Sequence, residues 1–341
     1  MVKKETMKVC IIGSTGHTGY VFNGIKEMGD ISIVGVAQGS AGEQMDAVLE
    51  QAKKLGSPTI EYEDYRIMLD EAKPDIVVVA CHFGDHAKYV VEALQRNIHV
   101  FAEKPVATTS EDLDRIIETY NENNAQLAAM FGIRYTSPFQ TAWHKVQEGA
   151  IGKVRLMNAQ KSYKLGTRGE HYKNRKDYGG TIPWVGSHAI DWLYWFSGEQ
   201  FKTVYASHSS LYNKDHGDLE MSALCHFTFT NEVFGSVNID YLRPGSAPSH
   251  ADDRIRIAGT KGVIEVRNEK VYLINGDSEG TQEIPLMPEQ QIFVDFVQQV
   301  RGEGKCIISA EDSFYITDAC LKARLSADEN RVVHFDHLNA E

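Results

Sequence analysis

The stretch Lys8-Val9-Cys10-Ile11-Ile12-Gly13-Ser14-Thr15-Gly16-His17-Thr18-Gly19 decides the fold of the N-terminal part of the chain. It begins with a mainly apolar run typical of a buried β-strand, and three glycines spaced by three follow at once. Helical periodicity then continues through Val21, Ile25 and Met28. Glycines in a strand-to-helix turn let the backbone approach a pyrophosphate, and the helix N-terminus offers N–H donors to it. The stretch therefore predicts either a dinucleotide-binding turn or a structural turn without a ligand.

Alternating strand-like and helix-like segments extend this pattern through the first third of the chain. Short β-branched runs recur at Ile31–Ala37, Asp75–Ala80 and Ile98–Ala102. Runs that are apolar on both faces fit parallel strands covered by helices, and parallel crossovers are right-handed. We therefore predict an α/β fold with a doubly wound sheet over residues 1–132.

The pattern changes after residue 132. Several strand candidates alternate apolar with polar residues, which indicates an antiparallel sheet with one covered face. These candidates are Val154–Lys161, Ala223–Phe229, Glu232–Tyr241, Arg254–Ala258, Val263–Val266 and Val271–Ile274. The helices predicted here are Pro183–Phe196, Glu289–Val300 and Ala310–Asp328. Residues 133–341 are thus predicted to form a second, α+β domain with a large, mostly antiparallel open sheet.

Composition limits the classes of function. The 341 residues include 47 acidic and 35 basic side chains, which gives a formal net charge of −12. Because such a surface is a poor match for phosphates, we expect neither a nucleic acid nor a membrane as partner. Five scattered cysteines without a CxxC pair suit a reducing compartment, so we expect a cytoplasmic protein. The apolar run Val9–Ile12 behind the charged first residues is too short for a signal peptide, so we expect no leader.

The glycine turn leaves the choice between NAD and NADP open. Thr15 replaces the middle glycine of the common GxGxxG form. Gln38, rather than an acidic residue for the ribose hydroxyls, follows the second β run, and no carboxylate comes until Glu43. No arginine stands there to bind a 2′-phosphate. We also expect no metal centre, because the histidines form no HxH or HExxH pair.

Chemistry-bearing residues follow two of the predicted parallel strands. Cys81 and His82 come directly after one apolar run, and Glu103-Lys104-Pro105 follows the next. Ligands of open α/β sheets bind beyond the carboxyl ends of the strands. There, Lys104 is able to hold a substrate hydroxyl and stabilise alkoxide charge. Taken singly, Lys104 also fits a surface lysine on a turn, and His86 fits a helix cap as well as catalysis.

Together, these motifs resemble the Gfo/Idh/MocA oxidoreductases, which include glucose–fructose oxidoreductase and inositol dehydrogenases. The resemblance covers nearly the whole chain, and the motifs stand in the family's order. They are the apolar strand before Cys81, His86, Glu103-Lys104-Pro105, Phe131-Gly132-Ile133-Arg134-Tyr135, Gly149–Val154, Gly179-Gly180, Ala258–Gly262 and Ser309–Asp312. The resemblance implies that residues 1–132 form a Rossmann domain that binds NAD or NADP. It implies that residues 133–341 form a domain for substrate binding and oligomerisation, whose open sheet faces the nicotinamide, and that the protein is a homodimer or homotetramer.

The resemblance also implies a catalytic pair. In the family, the lysine of the EKP motif and a histidine on a helix of the second domain flank the reacting carbon, and they match Lys104 and His188 here. The family chemistry is hydride transfer between a sugar or polyol carbon and nicotinamide, while a base takes the hydroxyl proton. Many members carry Asp four residues before that histidine, where this chain has Trp184. We expect Asp191 to orient a neighbour rather than to replace that carboxylate.

The candidate site residues form two sets. Those expected to contact the cofactor are Gly13, Ser14, Thr15, Gly16, His17, Thr18, Gln38, Cys81, His82, His86, Glu103, Lys104 and Arg134. Those expected to contact a carbohydrate or polyol substrate are Lys104, Tyr163, Trp184, His188 and Asp191. Trp184 is interpreted either as a core residue or as an apolar wall for a sugar ring. The basic segment from Arg168 to Lys176 is interpreted either as a solvated loop or as a contact for an anionic or hydroxylated substrate.

Three functions are compatible with the sequence. The first is NAD(P)-dependent oxidation of a ring carbon of a sugar, sugar derivative or polyol. The second is NAD-dependent glycoside cleavage through transient oxidation and elimination, and Trp184 in place of Asp gives it weight. The third is a non-catalytic nucleotide or sugar sensor. The presence of Lys104 and His188 argues against a sensor, whereas Thr15, Gln38 and Trp184 argue for it.

Overall fold

The computed structural model describes residues 6–277 and 279–335. Residues 1–5, considered above as a leader, and residues 336–341 of the predicted second domain lie outside these ranges. The chain forms two compact units. The first contains the residues up to Gly132 together with Gln291–Thr317, and the second contains Ile133–Gln290 and the residues from Asp318 onward.

The first unit is built on a six-stranded parallel sheet. Its strands are β1 (Met7–Ile12), β2 (Ile31–Ala37), β3 (Ile60–Tyr62), β4 (Ile76–Val79), β5 (His99–Ala102) and β6 (Leu127–Ala129). The helices between them are α1 (Gly19–Met28), α2 (Asp46–Lys54), α3 (Tyr65–Ala72), α4 (His86–Leu94) and α5 (Ser110–Asn121). The sheet order β3-β2-β1-β4-β5-β6 is the doubly wound Rossmann order, as predicted. It reverses direction between β1 and β4, which places the loops after these strands where such folds bind ligands.

Burial accounts for the detection of β4 from the sequence and for the omission of β3. All four residues of β4 are buried, in line with a strand covered by helices on both faces. The sequence patterns did not reveal β3, a three-residue edge strand that is largely exposed and therefore carries no apolar signal.

The second unit is built on a nine-stranded sheet. Its helices are α6 (Ser137–Gln147), α7 (Arg175–Tyr178) and α8 (Ser187–Ser197). The first eight strands are β7 (Val154–Lys164), β8 (Phe201–Ser209), β9 (Ser222–Phe229), β10 (Phe234–Arg243), β11 (Ala251–Gly259), β12 (Gly262–Arg267), β13 (Lys270–Asn275) and β14 (Gln282–Ile284). The order is β14-β13-β12-β11-β7-β10-β9-β8, followed at the edge by the short C-terminal strand Val333–His334. β10 pairs with β7 in parallel and the other pairings are antiparallel, so the predicted mostly antiparallel sheet is confirmed.

One face of this sheet is covered and the other is open. In β9 the inward side chains Cys225 and Phe227 are buried, whereas the outward Leu224 and His226 are exposed. Helix α8 packs on the covered face against β7. The sequence analysis missed β8, because a register shift between Phe201 and Thr203 breaks its alternation of apolar and polar residues.

Two helices complete the chain, α9 (Ile292–Val300) and α10 (Ala310–Glu329). The segment that contains α9 was predicted to lie in the second domain, but it belongs to the first unit. The reason is aromatic packing: Phe293 and Phe296 lie 5.3 Å and 5.4 Å from the Phe101 ring of β5, by centroid. Phe293 also contacts Gly24 of α1, where a Cβ would come within 2.9 Å of its ring. Within the described ranges, no helix is long and apolar enough to cross a membrane.

Candidate active site

The glycine turn between β1 and α1 is bonded to the ends of two neighbouring strands. The Gly13 N–H donates to the Ala37 carbonyl (2.9 Å), and the Thr15 N–H donates to the Ala80 carbonyl (2.7 Å). Gly13 and Gly16 both have a φ of +90°, a left-handed conformation that favours glycine. A Cβ on Gly13 would lie 2.5 Å from the Ala80 carbonyl oxygen. The turn therefore requires glycine at this position.

The start of α1 offers donors to an anion. Thr18 makes no side-chain cap, and among the described residues the N–H groups of Thr18 and Gly19 donate to no protein acceptor. A Cβ on Gly19 would meet no heavy atom within 4 Å, so there is open space beside the turn. Free N–H groups at a helix N-terminus next to glycines are what a pyrophosphate requires. The residues present fit a dinucleotide.

A buried carboxylate connects the glycine turn to the loop after β5. Glu103 Oε2 accepts from the His17 N–H (2.7 Å) and lies 2.8 Å from His17 Nδ1, while Oε1 accepts from the Lys104 N–H (3.0 Å). Burial alone would raise the pKa of Glu103, but His17 and the charge of Lys104 hold it below its ordinary value. Glu103 is thus an ionised group that positions Lys104 beside the glycine turn.

A second carboxylate, Glu43, lies at the end of β2. Its Oε1 accepts from the Ser14 N–H (3.1 Å) and from Thr15 Oγ1 (2.8 Å). Its Oε2 accepts from the N–H groups of Gly39 (3.0 Å) and Ser40 (2.8 Å). Sequence reasoning missed this residue because it stands five positions after Gln38. The Ser40-x-x-Glu43 spacing was the available signal, since in a capping box the Glu reaches back to the N–H of the first residue.

His86 connects the ends of two strands. It begins α4, is fully buried, and its Nδ1 and Nε2 lie 2.8 Å and 3.1 Å from the carbonyl oxygens of Pro105 and Cys81. Burial lowers the pKa of His86, although the Pro105 carbonyl and the Glu103 carboxylate act in the opposite direction. Burial also raises the pKa of the Cys81 thiol well above its ordinary value. These contacts make His86 a positioning residue for the loop that carries Lys104.

The other candidates of the first unit lie around Glu43 and Ser40. Gln38 is exposed, and its Nε2 donates to the Glu43 carbonyl (2.9 Å). The His82 N–H donates to Ser40 Oγ (3.0 Å), which in turn donates to Asp85 Oδ2 (2.6 Å). The structure thus brings the loops after β1, β2 and β4 into one hydrogen-bonded network.

In the second unit, Arg134 forms a buried ion pair with Asp191. Arg134 Nε lies 3.0 Å and 3.1 Å from the two carboxylate oxygens, and Nη2 lies 2.5 Å from Oδ1. Both side chains are at most 2% exposed, and the guanidinium lies 5.4 Å from the centre of the Trp195 ring. Asp191 therefore orients a neighbouring arginine of the same unit.

The remaining candidates lie on β7 and at the start of α8. The helix predicted from Pro183 begins as a π-helical turn, Ile182–Gly186, which contains Trp184, and π-turns are frequent at functional sites. His188 follows in the first turn of α8, and both side chains are buried. Tyr163 is half-buried, with its ring centre 4.9 Å from that of His250. Within residues 6–277 and 279–335, no group of three or more His, Cys, Asp or Glu is placed to hold a metal ion.

Comparison with known families agrees with this architecture. Residues 7–131 match the family described as "Oxidoreductase family, NAD-binding Rossmann fold", and residues 139–265 match the "GFO/IDH/MocA C-terminal domain". The chain therefore belongs to the Gfo/Idh/MocA family of NAD-binding oxidoreductases, and the resemblance inferred from the motifs is confirmed.

Individual relatives match most of the chain. A solved putative oxidoreductase from Thermotoga maritima is 49% identical with a TM-score of 0.93, and the match covers 96% of this chain and 100% of that one. The myo-inositol 2-dehydrogenase of Thermotoga maritima is 25% identical over 310 residues, which cover 86% of this chain and 89% of the relative. A levoglucosan dehydrogenase solved with NADH is 17% identical with a TM-score of 0.84, covers 97% of this chain and 100% of that one, and shares the fold.

Proposed function

We propose that this protein is an NAD-dependent dehydrogenase that transfers a hydride between nicotinamide and a ring carbon of a sugar, sugar derivative or polyol. The observation that supports this most is the contact set of Glu103. The same carboxylate accepts from His17 in the glycine turn and from the backbone of Lys104, a lysine only 1% exposed. A buried lysine is thereby fixed next to a turn that fits a dinucleotide. The polyol class is supported by the relative named myo-inositol 2-dehydrogenase.

The proposed roles divide binding from proton transfer. When bound, NAD supplies the hydride acceptor. Lys104 holds the reacting hydroxyl and stabilises the negative charge that develops on its oxygen. His188 takes the hydroxyl proton, which is the usual task of an imidazole near neutral pH. Tyr163 and Trp184 offer aromatic surfaces to the apolar face of a sugar ring.

We further propose that Glu43 favours NAD over NADP. Its side chain is 5% exposed, and it places a carboxylate at the end of β2, where this fold binds the adenosine ribose. A negative charge there repels the 2′-phosphate of NADP. The other proposed cofactor contacts are the glycine turn, Gln38, His82 and the loop of Cys81 and His86. The cytoplasmic location inferred from the cysteines also stays a proposal.

The open face of the nine-stranded sheet is the surface that we propose for a homodimer or homotetramer. Its outward residues include Leu156, Leu224, Phe234 and Leu242, all of them exposed apolar side chains on the neighbouring strands β7, β9 and β10. Exposed apolar patches of this kind mark interaction surfaces. Light scattering on the purified protein tests the proposal, and a monomeric mass at micromolar concentration would contradict it.

Turnover assays test the proposed function. Purified protein is mixed with NAD or NADP and a panel of cyclic polyols and sugars, and the absorbance of the reduced cofactor is followed. Lys104→Met and His188→Ala are each expected to lower kcat by about 10²- to 10⁴-fold while NADH binding is retained. Lys26→Met, on the exposed side of α1, is the control and is expected to match the wild type.

The outcomes separate the rival functions. Wild-type turnover by both variants on an identified substrate would refute the assigned roles. Release of aglycone from a glycoside panel without net NADH would instead indicate cleavage through transient oxidation. Cofactor binding without turnover over the whole panel would indicate a sensor.

A further inference from the structure

A group of cations in the second unit has no carboxylate partner. Lys164 ends β7 and Arg168 follows it, beside the rings of Tyr163 and His250, which are tilted by 33° with their centres 4.9 Å apart. We call Tyr163, Lys164, Arg168 and His250 together the cationic cluster. Within the described part of the chain, neither Lys164 nor Arg168 forms an ion pair, although acidic side chains outnumber basic ones by 47 to 35. Two cations without an ion-pair partner are therefore unexpected in a protein that has more acidic than basic side chains.

Aromatic rings and one hydrogen bond hold the Arg168 side chain in place, but not all of its N–H donors have an acceptor. Its guanidinium carbon lies 4.8 Å from the ring centre of Tyr241 and 5.4 Å from that of Tyr172. Its Nη2 donates to the Lys164 carbonyl (3.1 Å), whereas its Nε is buried and has no hydrogen-bond partner. Arginine has five N–H donors, and a buried donor without an acceptor costs free energy. The arrangement orients the guanidinium, and among the described residues its Nη1 donates to no protein acceptor and is not among the buried atoms.

The acidic side chains Asp252 and Asp253 of the neighbouring strand β11 form ion pairs with other cations. Asp253 lies 2.5 Å from Lys161 Nζ, and Asp252 lies 2.7 Å from Arg254 and 3.3 Å from Arg243. Lys164 Nζ donates instead to a neutral acceptor, the Ala247 carbonyl (2.5 Å). The local field is therefore positive. The pKa of His250 agrees with this. It is lowered first by partial burial and then by the charges of Arg168, Lys164 and Lys161, whereas the Asp253 carboxylate acts in the opposite direction.

The cationic cluster lies close to the helix that carries His188. Lys161, two positions before Tyr163 on β7, has its Nζ 4.9 Å from the Tyr163 ring and 5.6 Å from the Trp192 ring. Trp192 is one turn after His188 in α8. A substrate that reaches His188 from the side of Tyr163 would thus bring a substituent near Arg168.

We propose that the substrate carries an oxyanion substituent, a carboxylate or a phosphate, and that Arg168 and Lys164 bind it while Tyr163 and His250 face its ring. The inference rests on the proposed dehydrogenase function and specifies its substrate class. Guanidinium groups suit planar or tetrahedral oxyanions because their N–H groups pair with two oxygens at once. Arg168 Nη1, which among the described residues donates to no protein acceptor, is the donor that such an anion would reach.

Titration calorimetry on the protein saturated with NADH tests this proposal. The probes are D-glucuronate for the carboxylate, D-glucose 6-phosphate for the phosphate, and D-glucose as the neutral counterpart. The wild type is expected to bind at least one anion about tenfold or more tightly than D-glucose. Arg168→Gln is expected to remove that preference, and Lys164→Gln to reduce it. Arg155→Gln, an exposed arginine at the other end of β7, is the matched control and is expected to retain it.

The results of the titrations test the oxyanion site and the proposed dehydrogenase function separately. Equal binding of both anions and D-glucose by the wild type, or a preference that survives Arg168→Gln, would overturn the oxyanion site. Loss of the D-glucose affinity as well in a variant that melts like the wild type would also count against it, because the role would not be specific to charge. Failure of the wild type to bind NADH before any sugar is added would refute the proposed function instead.

Discussion

Two buried carboxylates of the first unit, Glu43 and Glu103, and two cations of the second unit, Lys164 and Arg168, are accommodated in opposite ways. Glu43 and Glu103 are buried, and their oxygens accept from backbone N–H groups, a hydroxyl and a histidine of nearby loops. Arg168 and Lys164 instead have aromatic rings and carbonyl oxygens around them and no acidic partner. A buried charge is stable when its hydrogen bonds are complete. In the first network each carboxylate oxygen has a donor, whereas in the second Arg168 Nε has no acceptor among the described residues.

The difference has a consequence for how each region responds to mutation. Charges in a complete network stabilise the fold, because removing one leaves its partners without an acceptor. Charges in an incomplete network contribute to binding and little to stability. The two regions therefore predict different results for the same kind of substitution, from charged side chain to neutral amide.

The largest expected effect is that of Glu103→Gln compared with Arg168→Gln. Glutamine at 103 keeps one acceptor oxygen and turns an amide towards the donors of His17 and Lys104, so the free energy of unfolding is expected to fall by about 3 kcal/mol. Arg168→Gln removes no ion pair and is expected to change it by less than about 1 kcal/mol. Urea unfolding measures both, with the exposed Glu118→Gln of α5 as the control. If Glu103→Gln and Arg168→Gln lowered the free energy of unfolding by the same amount, the distinction between the two networks would be wrong.

Local patterns were sufficient to predict the core of the first unit. An apolar strand, three glycines and a helical period lie within one short stretch, and the family motifs give Lys104 and His188 as the proposed catalytic pair. The role of Glu103 could not be predicted in this way. Its contact with His17 spans 86 positions and depends on how the ends of β1 and β5 meet in the folded sheet. Sequence spacing carries no information on such a contact.

Other features were missed because long-range packing decides them. The amphipathic pattern of α9 predicts a helix, but which sheet it covers depends on Phe293 fitting against Gly24. Arg134 was assigned to the cofactor from its place in a motif, and its buried pairing with Asp191 joins residues 57 positions apart. The basic segment after β7 was left between a solvated loop and a substrate contact. Only the structure shows that the Arg168 guanidinium contacts the rings of Tyr172 and Tyr241 and forms no ion pair among the described residues.

A smaller effect is expected from Glu43→Gln on cofactor choice. Removing the charge at the end of β2 lessens the repulsion of a 2′-phosphate, so the ratio of NADPH to NADH affinity is expected to rise roughly tenfold. Fluorescence titration with both reduced cofactors measures the ratio. Asp46→Asn at the start of α2, three positions along the chain, serves as the control for a general loss of negative charge. An unchanged ratio in a folded Glu43→Gln variant would show that this carboxylate serves the turn alone.

The smallest expected effect is on the pH dependence of stability in the first unit. Burial holds the pKa of His86 below its ordinary value of 6.5, so the unfolded chain takes up a proton at a pH where the folded protein does not. The stabilising contribution of His86 is thus complete above about pH 6.5 and is lost as the pH falls through the folded pKa. Glu103, whose pKa is also lowered, adds a second loss at more acidic pH.

His86→Gln removes the first of these losses. Between pH 6.5 and 5, the fall of the unfolding free energy with pH is expected to become shallower, by at most about 1.4 kcal/mol per pH unit for one proton. His99 and His250, whose pKa values are lowered too, keep part of the slope in the variant. Urea midpoints measured across this range give the slope, and His226→Gln on the open sheet face is the control. A slope identical to that of the wild type would mean that the folded protein protonates His86, because the carbonyls of Pro105 and Cys81 then outweigh its burial.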